Sequence, residues 1–109
     1  MKLADYKIFL DDERMPAESL KDAVIVRSFW EFKRVITARG IPKYITFDHD
    51  LGDRDYTGKK CAEYLAMRMS GRYRCDDIAD FRYDVHSQNP VGAENIRRYL
   101  DQFLKVIQE

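Results

Sequence analysis

Short apolar runs alternate along the chain with longer segments that have helical spacing. Four runs predict strands: residues 6–10, 23–27, 44–48 and 81–86. Runs this short, rich in β-branched and aromatic residues and stopped by polar ones, are typical of buried strands. Between the first two runs, residues 11–22 are polar and allow at most a short helix after Pro16.

Two helix starts carry recognisable signals. Ser28 followed by Glu31 is a capping box, in which the serine oxygen accepts from a free amide and the glutamate reaches back. The apolar residues that follow share one helical face. Thr57 can cap a second helix that runs to about Ser70.

The last helix has the clearest pattern. Asn89 can cap it, and Pro90 suits the first helical position, where no amide donor is needed. Its apolar face comprises Ile96, Tyr99, Leu100, Phe103, Leu104 and Ile107. The order β–turn–β–α–β–α–β–α predicts a mostly parallel sheet with helices on its faces. Without repeats or linkers, residues 1–109 form a single predicted domain.

Composition indicates a folded domain whose formal net charge is zero. Hydrophobic residues make up 45% of 109 residues, too many for intrinsic disorder, and 19 basic residues balance 19 acidic ones. No apolar run approaches 18 residues, and the first residues lack the apolar segment of a signal peptide. Cys61 and Cys75 suit neither a metal pair nor a disulfide framework. We therefore expect a cytoplasmic protein that does not enter membranes.

Residues with catalytic or ligand chemistry follow three of the four strands. Asp11, Asp12 and Arg14 follow the first strand. The third is followed by Asp48-His49-Asp50-Leu51-Gly52, and the fourth by His86-Ser87-Gln88-Asn89-Pro90. Ligands of open parallel sheets bind beyond the carboxyl ends of the strands. We expect these segments to form one site.

Three of these residues are carboxylates that would repel one another in one pocket. Asp11, Asp12 and Asp48 stay ionised together only if a cation or strong hydrogen bonds neutralise them. Oxygen ligands favour Mg²⁺ or Mn²⁺. Histidine titrates near neutral pH, so His49 and His86 suit acid–base catalysis or ligation of Mn²⁺, Fe²⁺ or Zn²⁺. The choice between Asp11 and Asp12 stays open, because neighbouring strand residues point in opposite directions.

Each feature also has a purely structural explanation. Asp11 and Asp12 could form a solvated turn, and Asp50 an Asx turn before Gly52. Asn89 could serve only as a helix cap. The convergence of three separate segments on one sheet edge is what favours a functional site.

Together these blocks resemble the cyclic-phosphate processing receiver-like family, a group of small bacterial and phage proteins. The resemblance spans residues 7–100 and rests on residues 10–14 with Pro16, on residues 47–52 and on residues 86–92. It implies a three-layer α/β/α, flavodoxin-like fold like that of receiver domains, with about four parallel strands in the order 2-1-3-4. It also implies acids arranged around a divalent metal, Mg²⁺ or Mn²⁺.

The resemblance implies activity on the cyclic phosphates of nucleotides or RNA ends. In that role the metal ligands would be Asp11, Asp12 and Asp48. The catalytic residues would be His49, His86 and Asp50, and the substrate contacts Arg14, Ser87 and Asn89. We therefore expect a metal-dependent phosphoesterase.

Two alternatives remain at this point. Because the sequence ends after the helix that follows strand four, we expect it to lack a receiver's fifth strand and the lysine there. Lys105 lies in the last helix and replaces that lysine poorly, which disfavours a phosphoacceptor role for Asp48. The second alternative is a non-catalytic binding or regulatory module, such as a phage accessory or inhibitor protein, that binds a metal or a nucleotide. An edge strand could also pair in a dimer or with a protein partner.

Overall fold

A four-stranded parallel sheet forms the centre of the computed structural model, which describes residues 1–108. The strands are β1 (Ala4–Leu10), β2 (Val24–Val26), β3 (Pro42–Phe47) and β4 (Arg82–Val85), in the order β2-β1-β3-β4. The helices are α1 (Phe29–Arg39), α2 (Gly58–Met69) and α3 (Pro90–Gln108), with a 3-10 turn over Glu18–Leu20. These elements confirm the receiver-like α/β fold and the strand order 2-1-3-4.

One face of the sheet forms the core with the helices. The register aligns Ile8 with Ile45, and Leu10 with both Val26 and Phe47. All five side chains are essentially inaccessible to solvent and belong to the hydrophobic cluster. Right-handed connections from β2 to β3 and from β3 to β4 place α1 and α2 on this face, and α3 packs against α2.

The opposite face of the sheet is more polar. It presents Lys7 beside Tyr44 and Phe9 beside Thr46. The same handedness rule sends the β1–β2 connection to this side, so the 3-10 turn is the only helical cover that a crossover provides within the described residues. The third layer implied by the resemblance is therefore thin, which leaves room for polar site residues on this face.

The predicted capping box forms at the start of α1, with one difference. The Ser28 hydroxyl accepts from the Glu31 amide at 3.1 Å, as expected. The Glu31 carboxylate accepts at 2.7 Å from the amide of Arg27 rather than from that of Ser28. The helix start is thus tied to the last residue before the cap, directly beyond β2.

The other two helices begin near the site and differ in how they are capped. Asn89 caps α3 as predicted, since its Oδ1 accepts from the Gly92 amide at 2.9 Å. Thr57 occupies the N-cap position of α2, but its side chain makes no capping hydrogen bond. The first amide of α2, that of Gly58, donates instead to the carbonyl of His49 at 2.7 Å.

Two expectations drawn from composition can be compared with the structure. Among residues 1–108 there is no helix with the length and apolarity needed to cross a bilayer. Cys61 is buried and Cys75 exposed, and neither forms a disulfide. Burial raises the pKa of the Cys61 thiol well above its usual value, so this side chain acts as an apolar core group.

Candidate functional site

Three site residues extend the hydrogen-bond ladder of neighbouring strands by one step. The Asp11 amide donates to the Val26 carbonyl at 3.0 Å. The Asp48 amide donates to the Leu10 carbonyl at 2.9 Å, and the His86 amide donates to the Phe47 carbonyl at 3.0 Å. Because β1, β3 and β4 pair in register, Asp11, Asp48 and His86 leave the sheet edge side by side. Their side chains lie on the polar face, two residues beyond Phe9, Thr46 and Asp84 respectively.

These three residues form an acid cluster with a cation beside it. One ligand atom from each of Asp11, Asp48 and His86 lies within 4.8 Å of the other two. Asp11 and Asp48 are both buried. Arg14 Nε donates to Asp11 Oδ2 at 2.8 Å, and another guanidinium nitrogen lies 3.6 Å from Asp48 Oδ2. The guanidinium therefore balances the two carboxylates.

Asp11 is held as a carboxylate despite its burial. Burial raises its pKa, but the amides of Arg14 and Glu13 donate to Oδ1 at 2.9 and 3.0 Å. His86 Nε2 lies 3.0 Å from Oδ2, and the Arg14 charge adds to the effect. Together these contacts hold the pKa of Asp11 below its usual value, so the group is ionised at neutral pH.

His86 is fixed on all sides. Its Nε2 pairs with Asp11, and its Nδ1 lies 2.8 Å from the Thr46 hydroxyl. The ring stacks on Phe9 with centroids 4.8 Å apart and planes 8° from parallel. With both ring nitrogens bonded, His86 can support the acid cluster but has no nitrogen free for a proton from a substrate.

His49 is held differently. Its Nδ1 lies 2.9 Å from Asp50 Oδ1, and both oxygens of Asp50 accept from Asn89 Nδ2 at 3.4 Å. The hydrogen bond from His49 is the main cause that lowers the pKa of Asp50, against a weaker effect of burial. In the described part of the chain, nothing hydrogen-bonds to His49 Nε2, and no buried side-chain nitrogen lacks a partner, so Nε2 reaches solvent.

Two glycines allow the helices to approach His49 closely. A Cβ at Gly92, in the first turn of α3, would overlap the ring atoms of His49. A Cβ at Gly58, at the start of α2, would overlap the carbonyl oxygen of Asp48. The backbone at Asp48 and the ring of His49 are thus positioned by glycine contacts, which explains the tight helix start at Gly58.

An open cleft of about 350 Å³ lies beside the acid cluster. It is lined by Asp12, Glu13, Arg14, Asp48, Asp50, Gly52 and Gln88. Asp12 therefore lies in the cleft but outside the group formed by Asp11, Asp48 and His86. Ser87 is not among the lining residues, and its hydroxyl accepts from the Asn89 amide at 3.1 Å.

Sequence reasoning missed several residues that hold the site together. Arg27 donates to the carbonyls of Asp11 and Arg14 at 3.0 and 2.6 Å, and so ties down the segment after β1. No sequence signal indicated a role for Arg27, because the polar residues at the end of the second strand were explained by the capping box that begins at Ser28. Thr46 and Phe9 could have been found, since strand alternation places each of them two residues before a predicted site aspartate, on the same face.

Comparison with known proteins agrees with this geometry. The family model described as the cyclic-phosphate processing receiver domain matches residues 6–102. Neither the curated proteins nor the solved structures compared with the chain give a match. The matched region contains the strands that carry Asp11, Asp48 and His86, the loop with His49, and all but the end of α3. The chain belongs to the cyclic-phosphate processing receiver domain family.

Proposed function

We propose that the protein is a divalent-metal-dependent phosphoesterase that opens the cyclic phosphates of nucleotides or RNA ends. One observation carries the proposal: Asp11, Asp48 and His86 bring ligand atoms together at the sheet edge, and Asp50, which holds His49 through Nδ1, lines the cleft beside them. The acid cluster suits a cation, and the histidine suits proton transfer. The family match supports the choice of cyclic phosphates as the substrate class, which the side chains alone do not indicate.

The donor set fits a divalent metal. Asp11, Asp48 and His86 have two carboxylate oxygens and one imidazole nitrogen in close proximity, and an ion bound there would replace the contacts of Arg14 and His86 with Asp11 Oδ2. A mixed oxygen and nitrogen set suits Mn²⁺, Fe²⁺ or Zn²⁺ as well as Mg²⁺. A bound ion would neutralise phosphate charge and lower the pKa of a water ligand. Asp12, in the adjoining cleft, is a further carboxylate for that ion or its waters.

His49 is the residue we assign to proton transfer. Opening the ring forms a bond from a water oxygen to phosphorus and breaks one phosphorus–oxygen ester bond. Protonated His49 gives its Nε2 proton to the oxygen that leaves, and the attacking water loses a proton to solvent. Asp50, itself held by Asn89, keeps the imidazole oriented through Nδ1. The product is a phosphomonoester.

Arg14 is the residue we assign to the phosphate. It lines the cleft, and its side chain is 39% exposed although it pairs with two buried acids. A planar guanidinium can donate two parallel hydrogen bonds to phosphate oxygens. Ser87 stays a candidate substrate contact, whereas Asn89 is assigned to orienting Asp50.

Phosphorus NMR of a panel of cyclic phosphates tests this proposal. The panel holds 2′,3′-cyclic, 3′,5′-cyclic and cyclic-oligonucleotide phosphates, each with Mg²⁺ or Mn²⁺ and again with excess chelator. We expect turnover that the chelator abolishes and that Asp48→Asn loses, with the fold of the variant intact by circular dichroism. Met67→Ala, an exposed residue of α2 remote in sequence from the site, serves as the matched control.

Two results would contradict the proposal. Wild-type turnover in Asp48→Asn would exclude the acid cluster from the reaction. An absence of turnover across the panel, together with tight binding of a metal or nucleotide, would instead favour the non-catalytic binding module.

A further inference from the structure

Four aromatic side chains cluster at the same end of the sheet as the cleft. Trp30 lies in the first turn of α1, beyond β2, and Tyr56 lies in the loop between β3 and α2. Their ring centroids are 4.9 Å apart, and Phe29 lies 5.1 Å from each. Tyr64 of α2 completes the cluster, 6.1 Å from Phe29. We call these four residues the aromatic platform.

The aromatic platform reaches solvent mainly through Trp30, and a cation lies over it. Trp30 is 54% exposed, which is unusual for the largest apolar side chain and leaves its ring available to a ligand. Lys33 Nζ lies 5.8 Å from the Trp30 ring centroid and 5.9 Å from that of Tyr64. Exposed aromatic rings next to an ammonium group are the chemistry that binds nucleotides, because bases stack on the rings and phosphates pair with the cation.

A short ordered loop joins the aromatic platform to the cleft. Gly52 lines the cleft, and four residues further along, Tyr56 belongs to the platform. That length of chain spans at most roughly 14 Å. Asp53 Oδ1 accepts from the amides of Asp55 and Tyr56 at 2.9 and 3.2 Å, and buried Leu51 anchors the other end. The loop therefore keeps the platform within roughly 14 Å of the cleft at Gly52.

We propose that the aromatic platform binds a nucleobase of the nucleotide or RNA end whose cyclic phosphate occupies the cleft. The inference rests on the proposed function for the identity of that phosphate. Stacking of a base on Trp30 and Tyr56 does not itself require turnover. The ligand thus carries a base as well as a phosphate, and the base contributes to affinity.

Trp30 provides a direct test, because it is the only tryptophan in the chain. Its fluorescence is titrated with adenosine 2′,3′-cyclic phosphate, with a short single-stranded oligoadenylate ending in the same group, and with glycerol cyclic phosphate, which has no base. We expect the two adenine ligands to quench Trp30 and the base-free ligand to leave it unchanged. Tighter binding of the oligoadenylate would place a preceding base on the platform, and equal binding would place the terminal base there.

Variants of Tyr56 separate stacking from a general effect on the fold. Tyr56→Ala should weaken adenine binding by about 5- to 150-fold, the usual effect of losing one base–aromatic stack. Tyr56→Phe should retain affinity, because it keeps the ring. Val106→Ala removes an exposed apolar side chain near the end of α3, away from the platform, and should change nothing.

The outcomes distinguish this inference from the proposed function. Quenching by the adenine ligands without any turnover would overturn the phosphoesterase proposal and support the aromatic platform. Turnover without quenching, with Tyr56→Ala keeping the wild-type ratio of kcat/KM between base-bearing and base-free substrates, would overturn the platform and support the phosphoesterase. Equal quenching by the base-free ligand would also overturn the platform.

Discussion

The site contains two histidine–aspartate pairs that are built in opposite ways. His86 pairs with Asp11, whose side chain is fully buried, and its ring is bonded through both nitrogens. His49 pairs with Asp50, whose side chain is 65% exposed, and it is bonded through Nδ1 alone. The two imidazoles are similarly exposed, at 23% for His86 and 17% for His49, so the pairs differ in the burial of the aspartate and in the number of ring nitrogens that are bonded.

The difference follows from where each residue leaves the sheet. Asp11 and His86 are both the first residue beyond their strands, so they lie on the polar face of the sheet. His49 is one residue further along than Asp48, and strand alternation turns it toward the helices, against Gly92. A shift of one residue in the sequence thus separates the pair that we assign to the metal site from the pair that we assign to proton transfer.

Substituting His49 should have the largest effect on turnover. His49→Gln replaces the imidazole with a neutral amide of similar size, which cannot transfer a proton. We expect kcat to fall by about 10²- to 10⁴-fold, the usual contribution of general acid–base catalysis. The free energy of unfolding should change by less than about 0.5 kcal/mol, because neither His49 nor its partner is fully buried. Single-turnover kinetics and urea unfolding measure the two quantities.

Replacing each of the two aspartates with asparagine should show that the pairs contribute differently to the free energy of unfolding. Asp11→Asn removes the charge that faces Arg14 and His86, and we expect unfolding to become easier by about 2–3 kcal/mol. Asp50→Asn alters an exposed pair and should cost less than about 0.5 kcal/mol. Equal losses in the two variants, measured by urea unfolding, would contradict the distinction between the pairs.

The two glycines that position His49 and Asp48 offer a finer comparison. Gly58→Ala would press a Cβ on the backbone carbonyl of Asp48, which cannot rotate away, and should destabilise the fold by about 1–3 kcal/mol. Gly92→Ala would press on the ring of His49, a side chain that can shift where the Asp48 carbonyl cannot. The loss of stability should therefore be smaller than in Gly58→Ala, while kcat falls by roughly 10²-fold because the imidazole is displaced. Thermal unfolding and kcat, measured on both variants, test whether Gly58→Ala loses more stability and Gly92→Ala loses turnover.

The smallest expected effect is on stability in acid. The pKa values of Asp11 and Asp50 are both lowered in the folded state, relative to about 3.9 for an unfolded aspartate. Each group therefore stabilises the fold above that pH, and the contribution is lost as the pH falls through its folded pKa. We expect the unfolding free energy to decrease below about pH 4, and less steeply in Asp11→Asn than in the wild type. A parallel decrease in the two proteins would contradict this assignment.

Much of the fold could be predicted from the sequence because its signals are local. The strand runs, the capping box at Ser28 and the cap at Asn89 all depend on neighbours within a few residues. Strands β1 and β3 begin earlier than predicted, at Ala4 and Pro42. Their extra residues are joined across the sheet, and the Ala4 amide donates to Ile41, which no local pattern indicates.

The site was predictable as a set of residues but not as an arrangement. The strand ends identified the correct segments, whereas the partners of each histidine depend on register between distant strands. His86 hydrogen-bonds to Thr46, which is 40 residues away along the sequence, and to Asp11, which is 75 residues away. The position of Arg14 between two acids likewise follows from the fold, because Arg27 holds its backbone in place.

Chemical rescue by imidazole tests most directly the division of labour between the two histidines. Turnover of a 2′,3′-cyclic nucleotide is measured for His49→Ala and His86→Ala at increasing concentrations of added imidazole. We predict that imidazole restores turnover in His49→Ala, because a free imidazole can pair with exposed Asp50 and transfer the proton in its place. We predict no rescue of His86→Ala, because we assign His86 to holding Asp11 and not to proton transfer. Rescue of His86→Ala alone, or of both variants equally, would contradict the assignment of proton transfer to His49.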